Sequence, residues 1–182
     1  GFSKPYPRSL TEKMLRLRAR IREEGGRMER LVEDGFSLEA IDEYTSLVAE
    51  TVNTFLQRSG YRREDIAALG FHGQTCDHFP PSIAGGEPAY TVQVGNAGLL
   101  ADLTGIPVIY DFRSDDIMAG GEGAPLAPVH NLHIAGDLRN KGVFPVAFCN
   151  AGNTGNISVI TEDKDGENVV RDWDVEIGRA HV

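Results

Sequence analysis

The 182-residue sequence predicts an α/β protein. Three observations carry that expectation. From about residue 37 to residue 135, stretches with helical apolar spacing alternate with short apolar runs of strand length, the pattern of a sheet with some parallel pairing. After Gly142 the pattern changes to strands joined by tight turns, so a second, antiparallel part is expected to start there. Between the two, Ile106-Pro-Val-Ile-Tyr110 runs into Asp111, Arg113, Asp115 and Asp116, then into Gly120-Gly-Glu-Gly123. Packing gives no reason to put four charges at that point. Charges at a strand's end followed by a glycine turn and a helix start are how an α/β protein builds a polar ligand site.

The elements follow in order. Thr11–Glu24 reads as a basic helix with a solvated charged face. Residues 37–58 form the clearest helix. Ser37 is expected to cap it, Ile41, Tyr44, Val48, Val52 and Phe55 share one face, and Gly60 stops it. Ile66–Phe71 reads as a buried strand ending at His72, and Tyr90–Val94 as another. Asn96–Leu103 is a short helix closed by Thr104-Gly105, Ile106–Tyr110 is a third strand, and Pro125 opens a helix to Ala135. Val143–Cys149, Asn156–Ile160 and Val169–Trp173 read as strands around the turns Asn150–Gly155 and Asp163–Gly166.

Composition narrows the function classes. A net charge of −9 argues against a nucleic-acid surface. The charge is uneven: residues 1–30 hold nine Lys/Arg against four Asp/Glu, which leaves the rest at about −14. A hydrophobic content of 41% suffices for a core. Two distant cysteines, Cys76 and Cys149, fit a reducing cytoplasm better than a disulfide framework. No apolar run is long enough to cross a membrane.

Several groups could carry chemistry. His72-Gly-Gln-Thr75 follows a strand. Its glycine lets a ligand approach the backbone, and Gln74 and Thr75 suit sugar hydroxyls or amides; an ordinary self-satisfied turn is the competing reading. Arg113 is the best anion or substrate clamp, because its fork holds two oxygens at once, with Asp111, Asp115 and Asp116 available to orient it. Cys76, His72, His78, His130 and His133 include metal-ligating types, but no Cys-x-x-Cys pair supports a zinc site. No Walker lysine follows Gly120–Gly123, which excludes a P-loop. The small-residue turn Asn150-Ala-Gly-Asn-Thr-Gly-Asn156 is the better phosphate candidate, or else a plain hairpin. A carboxylate of Asp172-Trp-Asp174 would serve as general base if it faced a cleft between the two parts.

Taken together, Gly70-Phe-His-Gly-Gln-Thr75 with His78 and Pro80, Tyr90-Thr-Val-Gln-Val-Gly95, Leu99–Pro107, Asp111-Phe-Arg113 with Asp116, and Gly120-Gly-Glu-Gly-Ala-Pro-Leu126 resemble the anhydro-N-acetylmuramic acid kinase family. The resemblance runs from about residue 5 and implies an actin-like ATPase (ribonuclease H-like) fold. On it, residues 1–141 are most of lobe one, 142–175 the opening hairpin of lobe two, and 176–182 a non-native tail. The family's activity is to open the ring of 1,6-anhydro-N-acetylmuramic acid and phosphorylate O6 with ATP and Mg²⁺, recycling cell-wall fragments. The resemblance implies that Asp174 is the general base that activates water. It assigns His72, Gln74, Thr75, Arg113, Gly121 and Pro125 to the sugar, and Asn150, Gly152, Asn153, Gly155 and Asn156 to the nucleotide. The implied partners are the amino sugar and ATP, without nucleic acid or membrane, and with room for a homodimer.

The departures are as specific as the matches. The family's first strand and Gly-Thr-Ser-x-Asp-Gly loop have no counterpart here, Asn153 and Thr154 replace Gly and Ile in the second turn, and Val175 follows Asp174 where Thr is usual. The chain is therefore expected to be a truncated, inactive piece of the kinase. An actin-like kinase for another sugar and a non-catalytic sugar-binding module are the rival readings.

Overall fold

The computed structural model describes residues 3–31, 33, 35–151 and 155–175, with backbone alone at 151, 155, 156 and 172–175. It is a mixed α/β structure in two compact units, residues 1–123 and 124–182.

The first unit is built on two helices. Helix α1 (Arg8–Glu23) buries Leu10, Met14, Leu17 and Ile21, spaced three or four residues apart, and leaves its arginines outward. Full burial of each of these aliphatic side chains is worth about 1.5–3 kcal/mol. Helix α2 (Gly35–Ser59) lays Ala40, Ile41, Tyr44 and Ala49 against that stripe. Lys13 ties the two helices together through Glu39 at 2.5 Å and Glu43 at 2.6 Å. Two expectations for α2 are corrected. Ser37 is fully buried inside the first turn instead of capping it. Phe55 is exposed while Leu56 takes the inward position, because over 25 residues the buried stripe rotates out of the register that a sum of threes and fours predicts.

Four short strands complete the unit. Strand β1 (Leu69–Phe71) pairs in parallel with β4 (Val108–Tyr110), Gly70 opposite Ile109. The strand expected from Ile66 begins three residues later, after a short 3₁₀ turn at Arg63–Asp65. Strand β2 (Gln74–Phe79) pairs antiparallel with β3 (Tyr90–Val94), and a one-turn helix, α3 (Pro81–Ala84), joins them. Helix α4 (Ala97–Thr104) starts on Asn96, whose Oδ1 accepts the Leu99 N–H at 3.0 Å, and ends on Gly105 in the left-handed region. Asn96 also fixes α4 to α2: its N–H donates to Thr45 Oγ1 and its Nδ2 to Asp42 Oδ1, both at 3.0 Å. Helix α5 (Phe112–Met118) leaves β4 directly.

The second unit joins helix α6 (Ala127–Asn140) to an antiparallel sheet in the order β5 (Val146–Ala151), β6 (Gly155–Glu162), β7 (Asn168–Val175). The expected switch to antiparallel strands is present, but this compact unit begins at Ala124 and takes α6 with it. Asn131 Nδ2 donates to Ser158 Oγ at 3.3 Å. Arg139 bonds Glu162 and Asn168, each at 2.7 Å, and lies over the Phe144 ring. The helix therefore belongs to this sheet by its contacts. Within the described residues no helix is long and apolar enough to cross a membrane.

Candidate functional site

The site of the first unit grows from the ends of β1, β3 and β4. A cleft of about 230 Å³ is lined by His72, Gly73, Thr91, Gln93, Tyr110, Asp111 and Ser114, with Phe71 and Val92 among its walls. Gly73 makes the turn from β1 into β2. Its φ of +74° and a would-be Cβ 2.8 Å from the Val94 carbonyl leave no room for a side chain. His72, exposed beside it, points Nδ1 at the Gly73 carbonyl at 3.0 Å. Asp111 is the one described non-glycine residue with positive φ, at 62°, where β4 passes into α5. Aspartate tolerates that region better than most residues, and a left-handed residue at a cleft is strain kept where the surrounding structure enforces it.

Strand β2 was not legible as a strand, and its irregularity shapes the site. The register pairs Thr75 with Gln93 and His78 with Thr91, with a bulge between Thr75 and Asp77. Regular alternation would put residues 75 and 78 on opposite faces. The extra residue brings both onto the face of Thr91 and Gln93, while Cys76, Val92 and Val94 are buried in the core.

Arg113, from α5, is bonded to that face. Its Nε donates to the Gly123 carbonyl at 2.7 Å and its Nη1 to Thr75 Oγ1 at 3.1 Å. Asp116 holds the receiving loop: its Oδ2 accepts the Gly123 N–H at 2.7 Å. Gly121 lies so close that a Cβ there would overlap the Asp116 carboxylate. The expectation that Asp111, Asp115 and Asp116 orient Arg113 is thus corrected in kind. No described carboxylate pairs with the guanidinium, and Asp116 acts on it one bond removed, through Gly123. Burial lowers the Arg113 pKa somewhat, but the group stays cationic. A half-buried guanidinium whose described partners are neutral keeps a charge that suits ligand oxygens.

The other expected sugar contacts fall as follows. Of the residues expected at the sugar only His72 lines the cleft itself; Thr75, Arg113 and Gly121 stand outside its lining, as does Gln74, whose Oε1 accepts from Tyr6 at 3.0 Å and whose Nε2 donates to the Thr75 carbonyl at 3.3 Å. Pro125 lies in the second unit. Gln93 was missed, though alternation could have revealed it: Val92 and Val94 are the buried partners in Tyr90–Val94, so Thr91 and Gln93 must face the other way. Among the described residues no three His, Cys, Asp or Glu side chains gather as a metal site. Cys76 is buried, which pushes its thiol up to about 11.

In the second unit, Asn150 pairs with Asn156 and Asn156 with Asp174, so the three stand in one row across the sheet. Gly155 lies next to that row, opposite Ala151 on one side and Val175 on the other. Asn150 is exposed. Gly152 and Asn153, expected at the nucleotide, lie outside the described residues, as do the side chains of Asn156 and Asp174.

A glycine-edged cleft, with a nearby arginine that no described carboxylate neutralises, has the features expected of a small-ligand site on an α/β protein. The particular group follows from comparison with known proteins. A family model described as anhydro-N-acetylmuramic acid kinase matches residues 1–174, and the chain belongs to that family. A Brucella canis protein named anhydro-N-acetylmuramic acid kinase is 41% identical over 119 residues, 65% of this chain and 30% of that protein. Proteins of the same name from Pseudomonas putida and Agrobacterium fabrum are each 40% identical, over 69% and 68% of this chain and 32% of their own length. The chain thus spans about a third of the curated relatives it matches.

Proposed function

We propose that this chain is the sugar-binding part of an ATP-dependent kinase that opens 1,6-anhydro-N-acetylmuramic acid and phosphorylates its O6. Its first unit would belong to one lobe of an actin-like ATPase fold and its second unit to the other. The reading rests on family membership and on one observation: Arg113, bridged to Thr75 and Gly123, has no described acidic partner of its own.

In this reading His72, Thr75, Gln93 and Arg113 hold the sugar by its hydroxyl, amide and carboxylate groups, and Gly121 keeps the loop behind Arg113 in place. Gln74 contributes through the backbone turn it braces, and Pro125 shapes the chain beyond Gly123. Asp174 takes the proton of the water that attacks the anomeric carbon, and O6, released as the ring opens, receives the phosphoryl group. The Asn150–Asn156 hairpin approaches the phosphates with backbone N–H groups, through Gly152, Asn153 and Gly155 at its turn. ATP supplies the phosphoryl group. Mg²⁺ would accompany the phosphates and neutralise the charge that develops on them during transfer.

The test is calorimetric titration of the chain with 1,6-anhydro-N-acetylmuramic acid and with N-acetylglucosamine. Binding of the first in preference to the second, weakened at least about tenfold in R113A, is expected. Equal binding of both sugars, or binding unchanged in R113A, would contradict the reading.

A further inference from the structure

His78 has no place in the reading above, yet it shares a face with the residues that do. The β2 bulge sets it on the Thr75, Thr91 and Gln93 side of the hairpin, the side to which Arg113 is bonded. Its Nδ1 is buried and has no hydrogen-bond partner among the described residues, an arrangement that costs free energy. The charged groups whose fields reach it come from three places: Arg113 on α5, Glu122 in the glycine loop, and Asp77 on its own strand. The two carboxylates are already engaged. Glu122 accepts the Ser82 N–H at 3.1 Å, and Asp77 accepts from the Tyr90 hydroxyl at 2.8 Å and from Arg22 at 3.3 Å. Arg113 is the neighbour with least compensation.

We propose that His78 is a positioning residue for Arg113. Neutral, it leaves the guanidinium seated between Thr75 and Gly123; protonated, it sets a second positive charge on the same face and drives Arg113 off the Thr75 hydroxyl. Burial, with Arg113 second, lowers the His78 pKa below its ordinary 6.5, so the neutral form prevails near pH 7 and the seat fails as the medium turns acid. Where it concerns the sugar, this rests on the function proposed above.

The test follows two signals in the intact chain between pH 8 and pH 5. One is the Arg113 Nε–H resonance, assigned by its loss in R113K. The other is affinity for 1,6-anhydro-N-acetylmuramic acid by calorimetry. The resonance is expected to shift with the same midpoint as the His78 ring, and affinity to fall about tenfold on that curve. In H78Q, or H78N if the first variant folds poorly, both signals should stay flat and binding at pH 5 should match that at pH 8. An Arg113 resonance indifferent to the ring's titration, or an undiminished pH dependence in the variants, would overturn the proposal. Absence of sugar binding at every pH would count against the kinase reading alone, because the Arg113 resonance still decides the role of His78.

Discussion

Arg113 and Thr75 lie 38 positions apart in sequence and are joined by a 3.1 Å hydrogen bond from Nη1 to Oγ1. The bond links the charged helix after β4 to the polar hairpin after β1, and a third point, the Gly123 carbonyl, completes the seat. The two bonds come from two different guanidinium nitrogens in a fixed fork, a geometry that the single ammonium of a lysine does not reproduce. R113K should therefore lower stability by about 1–3 kcal/mol, read as a reduced urea midpoint at unchanged slope. An unchanged midpoint would mean that the bridge contributes nothing to the fold.

Glycine substitutions should divide by surroundings. Gly121→Ala pushes a methyl group into the Asp116 carboxylate and breaks its bond to Gly123, and Gly73→Ala meets the Val94 carbonyl in the left-handed region. Each should cost about 1–3 kcal/mol. Gly136, inside α6 with open space around its Cα, should behave oppositely, with Ala raising stability by about 0.5–1 kcal/mol. Thermal melts of the three variants compare them directly.

Helix α1 offers a contrast two residues apart. Leu17 is fully buried and Leu15 is 60% exposed. L17A should lose about 2–5 kcal/mol, whereas L15A should stay within about 0.5 kcal/mol of the parent. Similar losses in both would place the wrong face of α1 against α2.

The cysteines should differ in reactivity. Cys76 is buried with its thiol pushed up to about 11, and Cys149 is exposed. Iodoacetamide at pH 8 should label Cys149 in the folded chain and reach Cys76 only after denaturant is added, by peptide mass spectrometry. Equal labelling rates in the native state would contradict the placement of β2 in the core.

Stability should fall on mild acidification through His78. Its pKa is lower in the folded state than the ordinary 6.5, so the unfolded chain takes up the proton first. The contribution is complete above 6.5 and is lost as pH falls through the folded-state value. The urea midpoint should drop between pH 7 and pH 5.5, and H78Q should flatten that part of the profile.

How much of this was legible in sequence depended on whether one periodicity ruled each segment. Tyr90–Val94 alternates cleanly and appears with the bounds expected, and the turn at Asp163–Gly166 marks its hairpin without competition. Strand β2 did not announce itself, because Gln-Thr-Cys-Asp-His-Phe carries few apolar residues and its bulge breaks the period of two. Helix α5 hid for a different reason: in Phe112–Met118 the charges drew attention as a strand-end cluster, and no side chain caps the start. Arg113 and Thr75 were identifiable by chemical type. Their meeting was not, since it depends on the hairpin register and on a backbone acceptor at Gly123.

Whether the cleft near Arg113 receives the anhydro amino sugar is decided by chemical-shift mapping. Titration of the ¹⁵N-labelled chain with 1,6-anhydro-N-acetylmuramic acid should shift the amides of His72, Gly73, Thr75, Gln93 and Gly123 and the Arg113 Nε–H, along one saturable curve. Saturable shifts confined to other residues, or a spectrum unchanged by the sugar, would contradict it.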